Sequence, residues 1–208
     1  MRFTLWLSAL AAATLGISAA AYAAEEAMQI PVNKGNTQAG DGQAVMFKGS
    51  PLPLAGKGIK VGDTMPSATL TGASLAPVNI ADGKGKVRII NVVPSLDTPT
   101  CDAQTHELVE KDPALATSVE MVTVSMDLPF AQQRWGKAAK AKNMTFLSDY
   151  KTGEFGNNTG LMIAPLHLLA RTVIVTDKDN VVRYMQVVPE ITELPDMDAA
   201  MAAAKGLL

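Results

Sequence analysis

The single cysteine of the chain, Cys101, is the side chain best suited to nucleophilic chemistry. It follows a short loop that leads from the apolar, β-branched run 87–93 into a helical pattern. Asp97 or Thr98 is expected to cap this helix, and Pro99 suits its first position, where no N–H donor is needed. Cys101 then lies in the first helical turn, where unpaired N–H groups and the helix dipole favour a thiolate over a thiol.

Three further residues are placed to support attack of this thiolate on an oxygen atom. Thr98 lies three residues before Cys101, so its hydroxyl is expected to face the sulfur across one turn and orient an incoming oxygen. Pro94 is expected to fix the loop and shield the pocket from water. Arg171 interrupts the apolar stretch 166–175, where a buried guanidinium needs an anion such as a thiolate beside it. This arrangement suits attack on a peroxide, because the oxygen that leaves also needs a donor.

Each of these residues also has a less specific interpretation. Cys101 could be an inert buried cysteine, and Pro94 and Thr98 could serve only to shape a loop. Arg171 could pair with a carboxylate at the surface. Without further information the residue types leave these interpretations open.

Strand and helix signals alternate along the chain around these residues. Pro53 is expected to confine the second strand of an early hairpin to a sheet edge, and Asp127 is a candidate N-cap. Strands separated by helices predict an α/β sandwich with a mixed sheet. In chain order the pattern predicts a hairpin at 45–47 and 52–54, a strand at 87–93, a helix at 101–110, a strand at 120–125, a helix at 129–142, a hairpin at 173–176 and 181–188, and a helix at 196–205.

Length and composition limit the possible function classes. A chain of 208 residues with 48% apolar side chains fills one core of ordinary size, which excludes a small disulfide scaffold. Its 18 basic and 20 acidic side chains give a net charge of −2 without a Lys/Arg cluster, so no nucleic acid partner is expected. Two histidines and one cysteine are too few for a zinc cage, and we expect neither a metal nor another cofactor.

The N-terminal residues have the pattern of an export signal. Arg2 gives a positive start, residues 3–20 are largely apolar, and residues 21–23 form a small-x-small cleavage site. The apolar run is shorter than the roughly 20 residues that a membrane span needs, so no span is expected after processing. These features predict a periplasmic protein. The expected divisions are a signal peptide at 1–23, a flexible segment at 24–44 and a folded domain at 45–208.

Export makes the single thiol more informative. Proteins in oxidising compartments usually pair their cysteines, so an odd cysteine is either free and reactive or forms an intermolecular bond. Cys101 is therefore expected to have a function of its own.

The spacing of these residues resembles the signature of a known family. Pro94-x-x-x-Thr98-x-x-Cys101 is similar to the peroxiredoxin signature, and residues 95–98 resemble its version in bacterial thiol peroxidases. The likeness extends over about 45–205. Further segments resemble that family in the same order, at 47–49, 61–63, 122–132, 147–149, 170–171 and 189–192.

The resemblance implies both a fold and a site. The fold would be thioredoxin-like with an N-terminal β-hairpin, and Cys101 would be the peroxidatic cysteine. Pro94, Thr98 and Arg171 would complete the active site. Family members are commonly homodimers and reduce hydrogen peroxide or organic hydroperoxides, so a homodimer and a peroxide substrate are expected.

The sequence departs from the family pattern at one functional position. Typical members carry a resolving cysteine directly after an Arg-aromatic pair, whereas here Arg134 and Trp135 are followed by Gly136. Without a second cysteine no intramolecular disulfide forms. The sulfenic acid of Cys101 is then expected to await an external thiol, either a small thiol or a redoxin, while exposed to further oxidation.

The leading hypothesis is therefore a one-cysteine thiol peroxidase. The alternative is a non-catalytic redox sensor or partner-binding protein that is oxidised at Cys101 without turnover. A disulfide oxidoreductase is a weaker alternative, because that chemistry normally uses a Cys-x-x-Cys pair.

Overall fold

The structure is a computed structural model that describes residues 29–111 and 115–208, so the predicted signal peptide lies outside it. The strands are β1 (Ala44–Phe47), β2 (Ser50–Ala55), β3 (Thr69–Thr71), β4 (Pro77–Asn79), β5 (Arg88–Val92), β6 (Glu120–Ser125), β7 (Met144–Ser148), β8 (Met162–Ile163), β9 (Leu168–Leu169), β10 (Thr172–Thr176) and β11 (Val182–Val187). The helices are α1 (Pro99–Glu110), α2 (Leu115–Ser118), α3 (Pro129–Ala138), α4 (Glu154–Thr159) and α5 (Met197–Lys205). A 3₁₀ turn, Ile80–Asp82, follows β4.

A mixed sheet with the strand order β11-β10-β5-β6-β7-β3-β4 forms the centre of the fold. Strands β5, β6 and β7 are parallel, with Val92 opposite Val124 and Met121 opposite Met144. Strands β10 and β11 extend the sheet by antiparallel pairing on one side, as β3 and β4 do on the other. The predicted α/β fold with a mixed sheet is confirmed. Among the described residues, no helix combines the length and apolar character needed to cross a membrane.

The central strands are buried on both faces, as their continuous apolar sequences predict. Because side chains alternate along a strand, Ile89 and Val173 pack on the face covered by α1 and α5. Ile90 and Ile174 pack on the other face, against the smaller sheet β1-β2-β8-β9. The loop after β5 enters α1 from a strand that is fixed on both sides, so α1 begins at a well-defined position.

The N-terminal hairpin β1–β2 is confirmed, but the expected edge position of its second strand is wrong. Strand β2 pairs with β1 on one side and with β8 on the other. Pro53 is compatible with this because the β8 ladder uses Leu54 and Ala55, beyond the proline. The Pro53 carbonyl accepts a hydrogen bond from the N–H of Ala164. Pro53, which has no N–H, therefore takes part in the pairing through its carbonyl oxygen.

The segment expected to be flexible is described from residue 29 onward. Val32 bridges Leu194 and Thr37 bridges Val187 through backbone pairing. The N–H of Gly40 donates to the carbonyl of Gly160. The packed part of the chain therefore includes residues N-terminal to 45 and lies along the C-terminal half of the domain.

The helix predicted at 129–142 is shorter than expected and begins at a different cap. Leu128, in an extended conformation, is the N-cap residue of α3, in place of Asp127. The helix ends at Ala138, and Lys140 has a φ of 54°, a left-handed conformation that stops a helix. The C-terminal elements follow the prediction, since β10 and β11 form a hairpin and Asp196 caps α5 by accepting from Ala199.

Glu190 attaches the N-terminal hairpin to the loop after β11. Its carboxylate accepts hydrogen bonds from the hydroxyl and N–H of Thr192 and from the N–H of Gly49. Partial burial raises the pKa of Glu190, but these hydrogen bonds outweigh burial and hold that pKa below its ordinary value of 4.5.

This lowered pKa predicts how stability responds to acid. The contribution of Glu190 is present above its unfolded pKa and is lost as the pH falls through the folded value. Urea unfolding midpoints measured between pH 7 and pH 3 should therefore fall less steeply for Glu190→Gln than for the unaltered protein. The exposed Asp179 supplies a matched control, Asp179→Asn. Parallel acid profiles for Glu190→Gln and the unaltered protein would contradict this role.

Candidate active site

Cys101 lies in the first turn of α1, as the sequence predicts. Thr98 is the N-cap residue in an extended conformation, and Pro99 occupies the first helical position. The Cys101 side chain is 0% exposed and packs in a small apolar cluster with Val93 and Leu96. Trp135 of α3 and Phe146 of β7 pack against the same cluster. The sulfur is therefore held at the carboxyl end of the parallel strands, shielded from bulk water.

Arg171 reaches this sulfur from the start of β10. The residue is 2% exposed, and its guanidinium donates three hydrogen bonds to three different partners. Nη2 lies 3.3 Å from Cys101 Sγ, Nη1 lies 2.6 Å from Gln104 Oε1, and Nε lies 2.9 Å from the carbonyl oxygen of Ile191. The structure thus brings together the two residues that the sequence singled out most clearly.

The positive charge of Arg171 and a negative charge on the Cys101 sulfur stabilise each other. Burial lowers the pKa of the Arg171 guanidinium, whereas the charge of Cys101 and its hydrogen bond raise it. A buried cation needs an acceptor beside it, and the Cys101 sulfur is the group that Nη2 meets. A thiolate with a guanidinium donor at its side is a nucleophile that also has a cation positioned for a departing oxygen.

A buried polar network, which the sequence analysis missed, holds the guanidinium in place. Gln104 Nε2 donates to Asn91 Oδ1 at 2.6 Å, and Asn91 Nδ2 donates to the hydroxyls of Thr105 and Thr123. The Thr105 hydroxyl in turn donates to the Cys101 carbonyl. The available signals were Asn91 within an apolar strand and Gln104 one helical turn after the cysteine.

Asp127 holds the loop before Cys101 and does not cap α3. Its carboxylate accepts hydrogen bonds from the Ser95 hydroxyl at 2.7 Å, the Leu96 N–H at 2.8 Å and the Ser125 hydroxyl at 2.8 Å. Gln132 Nε2 donates to the same Ser125 hydroxyl. The end of β6 and the start of α3 therefore fix the path of the loop that carries the cysteine.

Pro94 and Thr98 take different places around the sulfur. Pro94 is buried, and in the chain it lies between Val93 and Leu96, which both belong to the Cys101 cluster. Thr98 is exposed, and its hydroxyl donates to the Ser95 carbonyl at 3.1 Å. Its proton is thus engaged within the loop and is not donated to Cys101. The expected orientation of this hydroxyl towards the sulfur is not the one in the structure.

Trp135 is a further neighbour of the site that the sequence did not assign. Its indole N–H donates to Asp102 Oδ1 at 2.7 Å, which fixes the ring beside the first turn of α1. The ring packs edge-on against Phe146 and lies 4.9 Å from the ring of His106. Together Trp135 and Phe146 cover the sulfur on the α3 side.

The described side chains offer a redox nucleophile and no metal centre. Within residues 29–111 and 115–208, no three His, Cys, Asp or Glu side chains cluster closely enough to hold a metal ion.

Comparison with known proteins identifies the family. The redoxin family matches residues 60–201. The chain is 46% identical over 165 residues to a thiol peroxidase of Halalkalibacterium halodurans, covering 79% of this chain and 99% of that protein. It is 44% identical over 163 residues to a thiol peroxidase of Streptococcus pneumoniae, covering 78% of this chain and 99% of that protein.

Solved structures agree with this match. A peroxiredoxin-like protein from Aquifex aeolicus superposes with a TM-score of 0.74 at 38% identity, covering 79% of this chain and 97% of that chain. A thiol peroxidase from Chromobacterium violaceum, 18% identical, has the same fold with a TM-score of 0.66, covering 78% of this chain and 95% of that chain. The chain, with its cysteine at the start of a helix and its guanidinium against the sulfur, belongs to the redoxin family and, within it, to the bacterial thiol peroxidases.

Proposed function

We propose that this protein reduces hydrogen peroxide and organic hydroperoxides through Cys101 and uses an external thiol to complete the cycle. The observation that carries the proposal is the 3.3 Å contact between Arg171 Nη2 and Cys101 Sγ inside a cluster without solvent exposure. Relatives named thiol peroxidases, 44–46% identical over most of the chain, support turnover over a purely sensory role.

The first half-reaction is a two-electron transfer from sulfur to peroxide. The Cys101 thiolate attacks the terminal oxygen of ROOH, an S–O bond forms, and the O–O bond breaks. The sulfur becomes a sulfenic acid, and RO⁻ takes up a proton and leaves as water or an alcohol. Arg171 stabilises the developing negative charge, and Pro94 helps to exclude water. To orient the peroxide, the Thr98 hydroxyl would have to break its hydrogen bond to the Ser95 carbonyl.

The second half-reaction needs two external thiols, because the chain has one cysteine. The first thiol attacks the sulfenic sulfur, forms a mixed disulfide and releases water. The second thiol attacks that disulfide and restores the Cys101 thiolate. Since Cys101 Sγ is fully buried, the side chains that cover it must move for peroxide or thiol to enter.

Steady-state consumption of peroxide tests this cycle. With dithiothreitol as reductant, the purified protein should consume many equivalents of cumene hydroperoxide, whereas Cys101→Ser should consume none above background. Without dithiothreitol, a single equivalent of peroxide should leave a sulfenic acid that a dimedone probe labels, and turnover should not continue. A protein that is oxidised once but never turns over with any thiol would contradict catalysis and support the sensor.

Replacement of the guanidinium tests the contact that carries the proposal. Arg171→Met should slow oxidation of Cys101 by about 10²- to 10³-fold, the usual cost of removing one oxyanion donor. Arg171→Lys, which keeps the charge but not the three hydrogen bonds, should react at an intermediate rate. The control is Arg183→Met, because Arg183 is an exposed arginine paired with Asp177.

The oxidation rate is read by stopped-flow Trp fluorescence, and circular dichroism verifies that each variant is folded. Oxidation of folded Arg171→Met at the rate of the unaltered protein would show that the guanidinium is not part of the reaction.

Export to the periplasm is a further part of the proposal. It is supported by the positive start at Arg2, the apolar run 3–20 and the small-x-small pattern at 21–23. Because cysteines are usually paired in an oxidising compartment, a single unpaired cysteine there would be expected to have a function of its own.

We also propose that the protein is a homodimer. Leu128 is 50% exposed and Phe130 is 63% exposed at the start of α3, close to the loop that carries Cys101. Exposed apolar side chains that lie together are typical of an interface between subunits.

Native mass spectrometry of protein recovered from the periplasmic fraction tests both proposals at once. The expected mass is twice that of a chain beginning at Ala24, and Phe130→Glu should convert the dimer into a monomer of the processed chain. Recovery of the uncleaved chain in the cytoplasm would contradict export. A processed monomer without substitution would contradict the dimer.

A further inference from the structure

A groove of about 420 Å³ lies between α3 and β7, and Phe146 is among the residues that line it. Its apolar surface comes from the half-buried Met144 and Phe146, from Ala141 and from the bare backbone of Gly136. A Cβ added at Gly136 would lie 2.9 Å from Phe146 Cε2, so the glycine is what allows the ring to lie against the helix. The groove thus has an apolar floor that a lipid-like chain could cover.

Three lysines surround this floor. Lys137 is at the end of α3, and Lys140 and Lys142 are in the turn that follows. All three are exposed, and no carboxylate within the described ranges forms an ion pair with them. The expectation of a chain without a Lys/Arg cluster is therefore wrong at this place, although the net charge of the chain is −2.

The turn that presents the lysines has an unusual backbone. Lys140 has a φ of 54°, a left-handed conformation that is unfavourable for a residue with a Cβ. This conformation ends α3 and turns the chain. Here the N–H of Lys140 donates to Lys137 and the N–H of Ala141 donates to Gly136, which closes the turn over the groove.

The groove does not lead to the sulfur. Phe146 contributes to the groove and also packs against the Cys101 cluster, with the ring of Trp135 beside it at 5.8 Å. Neither Trp135 nor Cys101 lines the groove, so a molecule in it meets Phe146 and not Sγ.

We propose that this groove binds a single-chain anionic amphiphile, a fatty-acid carboxylate, as a ligand distinct from the peroxide substrate. The carboxylate is held by Lys137, Lys140 and Lys142, and the alkyl chain covers Met144 and Phe146. The charge of the rim matches the head group, and the apolar floor matches the chain. This site is separate from the proposed peroxidase reaction and does not depend on it.

Calorimetric titration of the protein with decanoate, below its micellar concentration, tests the site. Replacing the three lysines together (K137A, K140A, K142A) should weaken decanoate binding by about tenfold, the sum of several modest surface charge interactions. The matched control, K84A with K86A and K178A, removes the same charge from exposed lysines elsewhere and should bind like the unaltered protein.

The floor is tested separately from the rim. Ala141→Trp fills the groove without changing the charge and should also weaken binding of decanoate. The neutral 1-decanol should bind about tenfold more weakly than decanoate. Equal affinity of decanoate for the two triple variants, or equal binding of decanol and decanoate, would overturn the proposal. It would also be overturned if hexaglutamate bound with the same dependence on the lysines while decanoate did not, which would assign the surface to an acidic protein partner.

Discussion

The buried guanidinium of Arg171 is the interaction on which the rest of the site depends. Leaving a charge buried without partners costs several kcal/mol, so each side of the guanidinium has to meet an acceptor. Two separate parts of the chain supply the three acceptors: Cys101 and Gln104 come from α1, and the Ile191 carbonyl comes from the loop after β11. That loop is fixed in turn because the N–H of Ile191 donates to Met46 of the N-terminal hairpin. Through the hydrogen bonds of Arg171, the N-terminal hairpin and the loop after β11 are therefore both connected to the Cys101 sulfur.

An arginine within an apolar run predicts that its side chain is buried, but it does not predict which group the guanidinium contacts. Arg171 and Arg88 carry the same signal, a cation within an apolar β-branched run, and both are 2% exposed. Arg88, however, lies at the start of β5, at the opposite end of the strand from Cys101. It donates to the Ile80 carbonyl and to Asn180. The apolar stretch alone does not separate the two arginines, because neither composition nor spacing contains the order of strands in the sheet; the resemblance of residues 170–171 to the family adds support for Arg171.

The parts of the fold that the sequence predicted are long and strongly patterned, such as β5, β6 and α1. Short strands such as β8, with two residues, contain too few side chains to show a period. The polar network was not predictable for a different reason, because its hydrogen bonds join residues that are far apart in the sequence. Asn91 and Thr123 meet because β5 and β6 are in parallel register, and Asp127 meets Leu96 because β6 ends beside the loop. Asp127 fits the local sequence pattern of a helix N-cap. Its partner in the structure, the N–H of Leu96, is 31 residues away in the sequence, and no local pattern indicates it.

The absence of a resolving cysteine is matched by the packing around Gly136. The family resemblance places that cysteine directly after Trp135, yet a Cβ at position 136 would already lie 2.9 Å from Phe146. The Phe146 ring, which packs on Trp135 and on the cluster that contains Cys101, would have to shift to admit that Cβ. A side chain at position 136 would therefore disturb the cover of the peroxidatic sulfur itself. The position where relatives carry the second cysteine is therefore coupled, through Phe146, to the aromatic packing beside Cys101.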